Sequence, residues 1–98
     1  MIRVVYRWRV ESQRFSAFRD AWQKATDRIH ETVPGALGSF MLRSFETHSE
    51  VVTVASWDSL SSWQSFWGNA DPQEMRELRS LSERLAADVY EEVDDRTR

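Results

Sequence analysis

Cysteine is absent from this chain, and with it go disulfides, thiolate zinc sites, iron–sulfur ligation and cysteine nucleophiles. Glycine is scarce too. Only Gly35, Gly38 and Gly68 occur, and none sits in a phosphate-cradling loop after a strand, so nucleotide-cofactor motifs find no footing. The many serines fall on turns and exposed helix faces, with no strand-turn-helix nucleophile elbow. His30 and His48 each lack a second ligand at a useful helical spacing, so no resident metal is expected. No apolar run approaches the length of a membrane span, and MIRVVYRWRV reads as an alternating strand rather than a secretory signal. The expected address is the cytoplasm, without membrane contact. A net charge of −3 with interspersed signs offers no basic stripe for a phosphate backbone, which argues against nucleic acid as a partner.

What is present fits one folded domain. The chain has 98 residues, 41% of them apolar and 30% charged, enough for a single core over residues 1–95 with a charged tail at 94–98. A chain this short buries only part of its surface, so burial against a second copy would help it.

Residues 2–10 alternate between Ile2, Val4, Tyr6, Trp8, Val10 and an arginine-rich set, which predicts a first strand. Ser12 is placed to cap a helix whose Phe15, Phe18, Trp22, Ala25, Ile29 and Val33 share a face, ending at Pro34-Gly35. Residues 36–45 and 50–57 read as a hairpin. Asp58 or Ser59 then caps a short helix with Leu60, Trp63 and Trp67 on one face and Phe66 at its edge, closed by a left-handed Gly68. Asp71-Pro72-Gln73-Glu74 opens another helix with Met75, Leu78, Leu81 and Leu85 as its apolar face, and residues 88–93 form the last strand. This β-α-β-β-α-α-β order predicts an α+β, ferredoxin-like split βαβ fold with an antiparallel sheet and all helices on one face. Val52, Val54 and Phe40 or Met41 make the other face substantially apolar, so it is expected to pack on a second copy as a homodimer, with arginines of strand one pairing Glu91, Glu92 or Asp94.

The passages MIRVVYRWRV, VPGALGSFMLR and VVTVASWDSLSSW, within residues 1 to about 95, resemble the antibiotic biosynthesis monooxygenase family of dimeric α+β barrel proteins. The resemblance implies a cavity between sheet and helices, closed by the short helix after strand three. It also implies either cofactor-free oxygenation of anthrone-like or hydroquinone substrates, or heme degradation. The heme-degrading branch is similar through an asparagine, a tryptophan and a histidine, whose positions here fall on Tyr6, Phe66 and near Arg76. None of the three is kept.

The expected site is therefore an aromatic cavity. Each ring alone reads as core, Trp22 and Trp57 above all. Together, Trp8, Trp22, Trp63, Phe66 and Trp67 would wall a slot for a small aromatic substrate that reacts with dioxygen without a cofactor. Tyr6 would serve as proton relay or hydrogen-bond donor, and Asn69 or Arg79 as anion stabiliser. The alternatives are a heme binder using a non-standard ligand such as His48, a non-catalytic dimer binding an aromatic ligand, and an isomerase or lyase on the same scaffold.

Overall fold

A computed structural model describes residues 1–68 and 73–97, the side chain of Glu74 excepted. Four strands, β1 (Ile2–Arg9), β2 (Ala36–Arg43), β3 (Glu50–Trp57) and β4 (Glu83–Glu91), form one antiparallel sheet in the order β2-β3-β1-β4. Three helices, α1 (Phe15–Thr32), α2 (Leu60–Trp67) and α3 (Gln73–Ser80), cover one face, giving the expected α+β ferredoxin-like fold. Among the described residues, no helix is long and apolar enough to cross a membrane.

The alternation of β1 decides which face is covered. Ile2, Val4, Tyr6 and Trp8 are buried under the helices, and Thr53 and Val51 join them from β3. Val5, Val52 and Val54 lie on the outer face with Phe40 and Leu42, which are 47% and 54% exposed. Met41 pairs with Thr53 and packs against the core, so of the two candidates Phe40 is the outward one. The outer arginines are paired: Arg3 with Glu92 at 2.7 Å, Arg7 with Glu50 at 2.9 Å and Arg9 with Glu83 at 2.9 Å.

Several local expectations need correction. Ser12 does not cap α1: a 3-10 turn over Ser12–Arg14 precedes the helix, whose N-cap is Arg14 without a side-chain bond. Ser59, not Asp58, caps α2, its hydroxyl accepting from the Ser62 amide at 3.2 Å. On α2 the deep position belongs to Phe66, 7% exposed, while Leu60 is 45% exposed. Gly68 ends α2 at φ −69°, in right-handed conformation, because its amide simply continues to the Gln64 carbonyl at 2.7 Å. The predicted Asp71-Pro72 start of α3 lies outside the described residues.

The largest difference is at β4, which begins at Glu83 rather than 88 and takes Leu85 from the predicted helix face. Its pairing with β1 slips once. Ala86 stands opposite Arg7 and Arg84 opposite Trp8, so Leu85 has no partner across the ladder. Unbroken alternation would put Leu85 on the helix face beside Trp8 and Arg84 opposite Arg9. The bulge reverses this, turning Arg84 inward and leaving Leu85 40% exposed. It also brings Glu83 opposite Arg9, but an exposed ion pair contributes only about 0–1 kcal/mol. Fully burying a leucine contributes about 1.5–3 kcal/mol, so the ion pair alone does not account for the bulge.

Candidate active site

Between α1 and the sheet lies a cavity of about 50 Å³. Tyr6 and Trp8 of β1, and Thr53, Ala55 and Trp57 of β3, form its floor. Trp22, Thr26, Ile29 and His30 line it from α1, and Phe66, Met75 and Leu78 close the far end. Gly38 contributes from β2 at φ +113°, the residue where the pairing with β3 slips, and a Cβ built on it would meet nothing within 4 Å. The backbone is thus held in a conformation natural to glycine beside open space.

The position of α2 at this cavity is set by Gly35. Its φ of +88° is left-handed, and its carbonyl accepts from the Asp58 amide at 2.9 Å. A Cβ there would lie 2.5 Å from Asp58 Oδ1 and 2.6 Å from Ser62 Cβ. Only glycine lets the chain entering β2 pass this close to the first turn of α2.

Two indole nitrogens organise the polar groups. Trp8 is fully buried and donates from Nε1 to Thr53 Oγ1 at 3.1 Å. Trp63 donates from Nε1 to the Tyr6 hydroxyl at 3.2 Å. An indole N–H can only donate, so the phenol accepts here and its own proton remains to be given to another acceptor. Burial pushes the Tyr6 pKa above its ordinary value, while the Trp63 hydrogen bond and then the Arg84 charge pull it partly back. The phenol therefore stays protonated at neutral pH and acts as a donor rather than a base.

The structure separates the expected site residues into two groups. Tyr6, Trp8, Trp22 and Phe66 line the cavity. Trp63 and Trp67 do not: they stack on one another at 5.6 Å and 19°, and Trp67 lies 5.7 Å from the Tyr6 ring. Tyr6 joins the two groups, with one side to the cavity and the other to the stacked indoles. Arg79, half-buried on α3, is an electrostatic neighbour of Arg84. Asn69 lies outside the described residues. Of the other positions weighed, His48 is exposed in the β2–β3 connection, its carbonyl accepting from Arg43 Nε at 2.9 Å, and Arg76 is exposed on α3.

Sequence reasoning missed two residues. His30, weighed above only as a metal ligand, lines the cavity while itself exposed. Its position one step after Ile29 on the apolar face is the signal that could have found it. Arg84 was missed because the segment was read as helix. The Arg84 guanidinium carbon sits 4.6 Å over the Trp67 ring. Burial and then the nearby Arg79 charge lower its pKa, and the Tyr6 hydroxyl acts the other way.

The fold recurs in solved structures. SnoaB, a cofactor-independent oxygenase from Streptomyces nogalater, is 17% identical over 99% of this chain and 97% of its own, with a TM-score of 0.77. Rv0793 from Mycobacterium tuberculosis is 16% identical over 98% of both chains, with a TM-score of 0.73. At such identity the likeness speaks for the fold. A search of the curated proteins finds no significant match. A sequence model described as antibiotic biosynthesis monooxygenase matches residues 1–78, most of the chain and every strand but the last. The chain belongs to the antibiotic biosynthesis monooxygenase family.

Proposed function

We propose that the protein is a cofactor-independent monooxygenase that oxidises an electron-rich hydroxyaromatic, anthrone or quinol with dioxygen, the ring being held in the cavity between α1 and the sheet. The observation that carries this reading is the Tyr6 phenol. It is 6% exposed, held as an acceptor by Trp63, and set in the wall of an otherwise largely aromatic and aliphatic cavity with its proton still to give. Family membership supports the reaction class, and the likeness to a cofactor-independent oxygenase fits it.

In this reading the substrate's acidic proton leaves, and Tyr6 donates to the oxygen on which the resulting charge collects. His30 is the cavity-lining side chain with a ring nitrogen able to accept a proton, so it is the acceptor we assign. The anion gives one electron to dioxygen, the two radicals combine to a peroxide, and loss of water leaves the quinone. An anthrone and dioxygen thus become a quinone and water, with the electrons supplied by the substrate. Trp8, Trp22 and Phe66 exclude water from the anion. Trp63 holds the phenol, Trp67 stacks beside it, and Asn69 and Arg79 remain proposed anion stabilisers. Ligand pockets commonly reach about 300–1,000 Å³, so a fused-ring guest must displace a wall, for which half-buried Trp22 is the candidate.

We further propose that two copies pair through the outer sheet face. Phe40, Leu42 and Tyr90 are 47%, 54% and 55% exposed there, around half-buried Val5, Val52 and Val54.

Oxygen-electrode assays with anthrone and a panel of quinols test the reaction. Enzyme-dependent uptake is expected, lowered about 10²-fold in Tyr6→Phe, the size of a lost anion-stabilising donor. Uptake no faster than in buffer, or equal in the variant, would overturn the reading.

A further inference from the structure

Among the described residues, the buried side chains are apolar or aromatic with one exception. Thr53 of β3 is 1% exposed and lines the floor of the cavity. A valine would fill the same place in a strand with no hydroxyl to satisfy, so the hydroxyl has a use beyond packing. Part of that use is Trp8, whose Nε1 donates to Thr53 Oγ1 at 3.1 Å. An indole N–H can only donate, so the threonine accepts there and keeps its own proton. That proton finds no acceptor among the described residues.

The other hydroxyls around the cavity are engaged elsewhere or reached by solvent. Ser39 donates to the Val54 carbonyl at 3.0 Å, Ser56 accepts from Arg3, and Thr26 is half-buried. Among the described residues, Tyr6 alone repeats the arrangement at Thr53: a buried hydroxyl made an acceptor by an indole, with a proton left to give. The two residues are direct partners across β1 and β3, on the same inward face, their Cα atoms about 4.5–5.5 Å apart. Thr53 Oγ1 is one bond from its Cβ, whereas the phenol oxygen stands beyond a whole ring, so the two protons are offered at different heights above the sheet. Two oxygens on one ring system serve them better than one.

We propose that the Thr53 hydroxyl is a second hydrogen-bond donor to the ligand, so that the cavity prefers an aromatic bearing two acceptor oxygens, one at Tyr6 and one at the floor. This rests on the reading of the cavity as a site for an aromatic guest. Thr53 is a specificity residue in this account, touching the ligand rather than acting through another group. Were it only the acceptor for Trp8, its loss would not discriminate between ligands with one and two oxygens.

Isothermal titration with 1,4-diacetylbenzene and 4-isopropylacetophenone, similar in shape and differing by one carbonyl, separates the two roles without turnover. Thr53→Val is expected to lower the diketone's affinity relative to the monoketone's by about fivefold, the factor that one net hydrogen bond supplies. Thr53→Ser, which restores the hydroxyl, is expected to keep that ratio within about twofold of the native one. Because Thr53→Val strands the Trp8 N–H, the same pair of variants is also measured in a Trp8→Phe background, where no indole N–H is left at this place and the same ratios are expected. A ratio unmoved by Thr53→Val in both backgrounds, a ratio lowered as much by Thr53→Ser, or a loss shared equally by both ketones would overturn the proposal. If the ketones bind and the ratio does not respond to Thr53, only this inference fails. If it responds and no substrate takes up oxygen, only the oxygenase reading fails. If neither ketone binds, both fail.

Discussion

Removing the hydrogen bond between Trp63 and Tyr6 should have both an energetic and a pH signature. Trp63→Phe keeps a ring beside Trp67 but deletes the only group through which Trp63 Nε1 reaches the Tyr6 hydroxyl at 3.2 Å. The phenol is 6% exposed, so its oxygen loses a partner that water cannot readily replace. A net hydrogen bond contributes about 0.5–1.5 kcal/mol, and a double-mutant cycle with Tyr6→Phe should return a coupling of about 1 kcal/mol from urea midpoints. The pH dependence follows from linkage. Burial raises the folded Tyr6 pKa above its unfolded value near 10. Folding is then fully favoured by this group below the unfolded value and loses that contribution as pH rises through the folded one. Trp63→Phe removes an influence that lowers the pKa, so the decline should extend to higher pH. Tyr6→Phe should lack this component. A coupling within about 0.3 kcal/mol of zero, or identical alkaline profiles for native and Tyr6→Phe proteins, would refute the reasoning.

Other perturbations test other parts. Thr53→Val strands the fully buried Trp8 N–H, 3.1 Å from the lost hydroxyl, and should cost about 1–3 kcal/mol in urea unfolding. Gly35→Ala meets both the left-handed φ and the Asp58–Ser62 contact, and should destabilise by more than the about 1–2 kcal/mol of the backbone term alone. Ser59→Ala removes the α2 cap and should lower stability by about 1 kcal/mol, read as an earlier melt. Phe40→Asp combined with Leu42→Asp should convert a dimer into a monomer by light scattering while leaving the circular dichroism unchanged, because both side chains lie on the outer face away from the core.

The order of the elements was legible because strands β1 and β3 alternate cleanly and α1 carries a regular apolar stripe. The face assignment of Tyr6 and Trp8 followed from the same period. The end of α3 was not legible. Leu78, Leu81 and Leu85 keep helical spacing, and Ala86-Ala87 favour a helix, but pairing with the edge of β1 outweighs this local preference and draws residues 83–91 into the sheet. Arg84 could not be found before that bulge was seen, since regular alternation puts it on the wrong face. Spacing alone puts Leu60, Trp63 and Trp67 on the inner face of α2, with Phe66 at its edge. On an eight-residue helix only one ring reaches deepest, and geometry gives that place to Phe66. The two indoles instead buttress Tyr6 from outside the cavity.

The central claim is that substrate electrons, delivered inside the α1–sheet cavity, reduce dioxygen without a resident cofactor. Turnover of anthrone by metal-chelated protein under oxygen-18 gas tests it most directly, with the product analysed by mass spectrometry. The account predicts quinone carrying one heavy oxygen atom per molecule, one dioxygen consumed for each, and a rate that collapses in Tyr6→Phe. Quinone formed no faster than in buffer, or formed with its new oxygen drawn from water, would contradict it.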